Sequence, residues 1–137
     1  MLFLDDQWFD EMARRTREHL NRPGILNVTY CEVFTDCPDT EDTVWIFAVI
    51  RDGILQDILK GRGSECVPVA DVCCTGTYTD HVAVLRGQLS LESAILTGKL
   101  KVRGKLLKGL KFILINKAFS KGKRVPNTIY LYGPALY

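Results

Sequence analysis

Thr79-Asp80-His81-Val82-Ala83-Val84-Leu85-Arg86-Gly87-Gln88-Leu89-Ser90-Leu91-Glu92-Ser93-Ala94-Ile95-Leu96-Thr97-Gly98-Lys99-Leu100-Lys101-Val102-Arg103-Gly104 is the stretch on which the reading of this chain turns. Thr77 or Thr79, with Asp80, opens a short helix that stops near Gly87, and Ser90 with Ser93 opens a second that stops at Gly98. From Lys99 the period changes to two. Lys99-Leu100-Lys101-Val102-Arg103 alternates cations with apolar residues, the pattern of a short strand with Leu100 and Val102 inward. Gly104 turns the chain, and residues 105–119 return to helical spacing. Leu106, Leu107, Leu110, Ile113, Leu114 and Ala118 form a wide apolar face there, with Lys105, Lys108 and Lys111 opposite.

Upstream, Asp5 or Asp6 caps a helix whose apolar stripe is Trp8, Phe9, Met12, Ala13 and Leu20, and Asn21-Arg22-Pro23-Gly24 ends it. Residues 25–34 read as a strand with Leu26, Val28, Tyr30 and Phe34 on one parity. An acidic turn at 36–42 leads to a second strand at 43–50, and Arg51-Asp52-Gly53 joins it to a third at 54–60 as an antiparallel meander. A fourth strand is expected at 69–78. The tail carries Lys121-Gly122-Lys123-Arg124, Pro126 and Gly133-Pro134 and reads as loop, with one strand at 128–132. The sum is an α+β domain: a mostly antiparallel sheet with helices on one face. Residues 44–50 are apolar on both parities, so either the outer face of this strand is covered by a partner or the sheet encloses an apolar space.

Composition bounds the function. With 137 residues, 47% hydrophobic and 25% charged, the chain is one ordinary globular domain. No apolar run reaches the roughly 18 residues of a spanning helix, and the first residues turn acidic at once, unlike a secretory signal. Five cysteines without a C-x-x-C pair point to a reducing cytoplasm and not to a disulfide scaffold or zinc site. Asp36, Asp39, Glu41 and Asp42 lack the glycine and terminal glutamate of a calcium loop, and no phosphate-binding loop occurs. Cys73 and Cys74 point to opposite faces of a strand; a thiol enzyme would need one of them beside His81, which the start of a helix tends to keep neutral. All 16 acidic residues lie at or before Glu92, whereas residues 93–137 carry 10 basic ones. The two parts can cancel when they pack, or leave a basic face toward an anionic partner. Only Phe112 and Phe119 interleave the cations of residues 99–124, too few for stacking on bases, so nucleic acid is not the expected partner.

The run from Thr79 onward resembles the core motif of the sterol carrier protein 2 family. The shared features are the helix ending at Gly87, the helix with Ala94, Gly98-Lys99-Leu100-Lys101-Val102 with Gly104, and the leucine-rich helix. Trp45 in the second strand and Ala70-Asp71 before the fourth are similarly placed. The resemblance is strong over 69–114 and loose before it. It implies a five-stranded sheet with helices on one side, enclosing an apolar tunnel that takes a fatty-acyl chain, acyl-CoA, phospholipid or sterol, with no covalent chemistry and no cofactor. On that reading Leu85, Ile95, Leu96, Leu106, Leu107, Leu110 and Leu114 line the tunnel, and Trp45 and Phe47 supply the sheet-side wall. Lys99, Lys101, Arg103 and Lys105 face an anionic headgroup or membrane surface. Residues 1–119 make up the lipid-binding domain, and 120–137 an extension of it. The alternative is a dimeric interaction or regulatory domain with the same fold and a filled interior. Ala135-Leu136-Tyr137 is not the Ser-Lys-Leu type of peroxisomal signal.

Overall fold

A computed structural model describes residues 1–21, 23, 24, 26–104 and 109–131, excepting the side chains of 109–114. Helix α1 spans Asp6–His19, with the Asp5 carboxylate accepting from the Trp8 N–H, and it buries Trp8, Met12, Ala13 and Thr16. The strands follow as β1 (Val28–Thr35), β2 (Val44–Arg51) and β3 (Ile54–Arg62). Strand β4 (Val72–Thr77) leads straight into α2 (Tyr78–Leu85), which Thr77 caps, and α3 (Leu91–Leu96) is capped by Ser90. Strand β5 (Leu100–Gly104) and helix α4 (Gly109–Lys123) complete the order.

The sheet runs β3-β2-β1-β4-β5. The expected meander is present, since β1–β2 and β2–β3 pair antiparallel. The inner pair β1–β4 is parallel, which makes the sheet mixed, and β5 pairs antiparallel with β4. Period-two alternation then sorts each strand into two faces. Val28, Tyr30, Glu32 and Phe34 share a face with Val44, Ile46, Ala48 and Ile50 and with Val72 and Cys74, and all are buried. The helices pack here: the Phe119 ring of α4 lies 5.1 Å from Tyr30, and the His81 ring of α2 lies 4.2 Å from Phe34. Phe3 closes the layer with edge contacts to Trp8, Phe34 and Tyr78.

Three expectations change. The fourth strand, expected at 69–78, covers only 72–77, because Thr77 caps α2 and Tyr78 is its first residue. The segment 121–124 is not a loop: α4 runs on to Lys123, because Gly122 seats against Thr16 of α1 and Lys123 reaches Glu32. Of the strand expected at 128–132, residues 128–131 make a single bridge, Ile129 beside Leu2, and Tyr132 lies outside the described residues. Three hydrogen bonds (Phe3 N–H to Ile129 O, Ile129 N–H to Met1 O and Leu131 N–H to the Tyr78 hydroxyl) leave no room for a longer ladder.

Candidate functional site

At the middle of the inner face, on β1, a charged residue stands amid apolar side chains. Glu32 shares the parity of Val28, Tyr30 and Phe34, so a regular strand must put its carboxylate inside, and it is 2% exposed. Burying an unpaired carboxylate would cost several kcal/mol. Lys123 donates to Oε2 at 2.8 Å and the Tyr30 hydroxyl donates to the same atom at 2.9 Å. Burial pushes the Glu32 carboxyl up, but Lys123, His81 and Tyr30 together outweigh it and hold the group below the ordinary carboxylate value. Oε1 has no hydrogen-bond partner and is sealed from solvent. The interior therefore holds a free acceptor atom beside a neutralised ion pair.

His81 borders this cluster. Its Nε2 lies 2.9 Å from the Val33 carbonyl, which can only accept, so Nε2 carries the proton. Burial pushes the imidazole down to about 4 against the pull of Glu32, and the ring is neutral at pH 7. The sequence reading reached the same state from the helix terminus; the dominant cause is desolvation. Cys74 faces Glu32 across the strands, and burial pushes its thiol up to about 12. Cys73 alternates to the opposite face from His81, so the pairing that thiol catalysis would need does not form there.

The candidate lining divides. Leu85 is buried at the end of α2, packed into the core with Val82 and Tyr78. Ile95 is 38% and Leu96 87% exposed, so neither lines an interior; α3 turns Ala94 inward instead. With only six residues, that helix buries one position, and the sequence pattern alone did not say which. Trp45 and Phe47 are half-buried, but their parity places them on the sheet face away from the helices, opposite Val33 and Cys31. They do not form the inner wall. The Trp45 ring lies over Gly61, where a Cβ would come within 2.0 Å of it, and this covers part of the outer face. Leu106, Leu107 and Lys105 lie outside the described residues, as do the side chains of Leu110 and Leu114.

Lys99, Lys101 and Arg103 are exposed. Lys99 and Lys101 border a shallow depression of about 400 Å³ with Thr35, Thr75, Thr77 and Asp80. Open grooves flank the second half of α4, one of about 580 Å³ with Leu20, Leu26 and Ala118 and one of about 650 Å³ with Leu91, Asn116 and Ser120. Among the described residues no three potential metal ligands cluster, and no helix is long and apolar enough to cross a membrane. Glu32 and Lys123 were missed in the sequence, although the parity of position 32 was a usable signal.

No protein-family model and no curated protein matches the sequence. Solved structures do. A crystal structure of sterol carrier protein 2 superposes with a TM-score of 0.72 over 90% of this chain and 98% of its own, at 17% identity. Palmitated sterol carrier protein 2 like 2 from Aedes aegypti gives 0.50 over 77% of this chain and 92% of its own, at 15% identity. The inverting sec-alkylsulfatase Pisa1 from Pseudomonas sp. gives 0.50 at 25% identity over 85% of this chain, but only 16% of the enzyme is covered. The same architecture thus makes up nearly the whole of one solved chain and a small part of another. This chain has the sterol carrier protein 2 fold.

Proposed function

We propose that the protein is a non-catalytic lipid carrier that takes a fatty-acyl, acyl-CoA, phospholipid or sterol-like guest between its sheet and helices. The observation that carries this reading is the correspondence with sterol carrier protein 2 along nearly the whole of both chains. The palmitate on the mosquito relative adds an acyl chain as one class of guest. Apolar burial gives the driving force: at about 0.8 kcal/mol per methylene, a 16-carbon chain gains roughly 12 kcal/mol gross. Leu85 belongs to the proposed lining, together with Leu106, Leu107, Leu110 and Leu114. Lys99, Lys101, Arg103 and Lys105 face the anionic part of the guest or an anionic membrane surface. The unpaired Glu32 Oε1 favours a guest that donates a hydrogen bond, such as an alcohol, over a free carboxylate.

A second reading, an interaction or regulatory domain with a filled interior that pairs as a homodimer, is favoured by one observation. The Tyr30 and Phe119 rings meet 5.1 Å apart on the inner face and occupy space there. Organic extraction and native mass spectrometry of the purified protein separate the two. The carrier reading expects copurified lipid and uptake of a fluorescent acyl probe by the delipidated protein. An empty protein that ignores such probes is what the filled interior expects.

A further inference from the structure

On the sheet face away from the helices, Cys31 of β1 and Cys73 of β4 are direct partners in the parallel register. Neighbouring strands hold such Cα atoms about 4.8 Å apart. That lies inside the 4.4–6.8 Å range that a disulfide spans. Cys31 is fully buried and Cys73 is partly exposed. Across the other side of β4 the partner of Cys73 is Arg103, exposed and cationic, and the Thr75 hydroxyl lies 3.7 Å from the Cys73 sulfur. One sulfur thus has a second thiol on one side, a guanidinium on the other and solvent above. Among the remaining cysteines, Cys37 and Cys74 are buried and Cys66 is exposed on the short helical turn at Ser64–Cys66.

We propose that Cys31 and Cys73 form a redox-active dithiol whose substrate is a hydroperoxide, with Cys73 as the attacking sulfur and Cys31 as the resolving one. The electrostatics agree. The neighbouring Cys31 thiol is the main influence that lowers the Cys73 thiol, and Thr75 and Arg103 add to it against burial and Glu32, while the Cys31 thiol is raised in turn. A lowered, accessible thiolate is the nucleophilic form.

In the first step the Cys73 thiolate attacks the terminal hydroxyl oxygen of the hydroperoxide. An S–O bond forms, the O–O bond breaks, and the departing alkoxide, or hydroxide when the substrate is hydrogen peroxide, takes a proton and leaves as an alcohol or water. Sulfur is oxidised by two electrons to the sulfenic acid and the peroxide is reduced. In the second, the Cys31 sulfur attacks the Cys73 sulfur. An S–S bond forms, the S–O bond breaks, and the hydroxyl leaves with the Cys31 proton as water. A bond between adjacent parallel strands requires a local approach of their Cβ atoms, which leaves it readily reducible. The chemistry proceeds on the outer face whether or not the interior holds a guest.

The test uses the full chain with Cys66→Ser, which removes the exposed competitor. Reduced protein given equimolar hydrogen peroxide, then acid-quenched, alkylated and digested without reduction, yields a peptide pair joining Cys31 to Cys73. Dithiothreitol restores both thiols. In Cys31→Ala, dimedone is captured at Cys73, and Arg103→Gln slows oxidation of the Cys66→Ser protein by up to about tenfold when measured near pH 5, where the thiol is mostly protonated and its thiolate fraction falls tenfold for each unit that the pKa rises. An unchanged thiol count, a linkage through Cys37 or Cys74, or a bond between chains overturns the proposal. Should Cys31→Ala not fold, the linkage map of the Cys66→Ser protein decides alone.

Discussion

At the scale of single residues, His81 shows how burial sets a titration. Its folded value is pushed down to about 4 from 6.5, mainly by desolvation, with Lys123 acting in the same direction and Glu32, the Val33 carbonyl and Asp80 opposing. The unfolded chain therefore binds the proton more readily. Stability contributed by the neutral ring is complete above about pH 6.5 and is lost as the pH falls from there through about 4. The difference is worth on the order of 3 kcal/mol. Urea midpoints measured between pH 7 and pH 4.5 should fall for the wild type, and His81→Gln, which keeps an N–H for Val33, should flatten that slope. An unchanged slope would place the acid sensitivity elsewhere. Glu32 adds its own loss only below the ordinary carboxylate range, because its folded value is lowered. The neutral histidine was legible in the sequence; Glu32 as an interior carboxylate was overlooked, although its parity was on view.

At the scale of elements, α1 and α4 cross where Gly122 meets Thr16. A Cβ at position 122 would lie 1.8 Å from Thr16 Oγ1 and 2.9 and 3.0 Å from its Cβ and Cα. The near-backbone atoms cannot swing away, so the helices must part. Alanine gains about 1 kcal/mol in helix propensity. The overpacking costs about 1–3 kcal/mol or more, and it prevails. Gly122→Ala is expected to lower the denaturant midpoint, and Thr16→Ala in the same chain to recover part of the loss; full stability in the single variant would contradict the close crossing. The caps at Asp5, Thr77 and Ser90 and the alternating strand at Lys99 could be read from short spacings, since the partners lie within a few residues. The continuation of α4 could not. A glycine between lysines reads as a loop until Thr16 and Glu32 supply what it packs against. The same limit explains Leu96 and Ile95, since a helix of six residues does not declare which side faces in.

At the scale of the molecule, Lys123 and Val125, beyond residue 119, belong to the core. Lys123 neutralises Glu32 from 91 positions away, Val125 is buried, and Ile129 is bound to Met1 and Phe3 of the N-terminal segment. A chain ending at residue 119 leaves the Glu32 carboxylate buried without its cation, a cost of about 3–5 kcal/mol that is a large part of a domain's stability. Circular dichroism and proteolysis should find this fragment unfolded or easily digested, whereas a cooperative thermal transition like that of the full chain would show the last segment to be a true appendage. The imbalance of acids before residue 93 and bases after it finds part of its meaning here, as an ion pair within the core. What the sequence determined by itself is local: which segments are helix or strand, where they are capped, and that the strands pack one apolar face, because these depend on periods of 2 and 3.6 and on neighbours a turn away. Only the tertiary structure decided that β1 and β4 run parallel, that Trp45 and Phe47 look outward, that Cys31 stands beside Cys73 and that Lys123 answers Glu32. Such pairings join residues tens of positions apart, and a periodic pattern says which face a side chain takes but not which strand lies next to it.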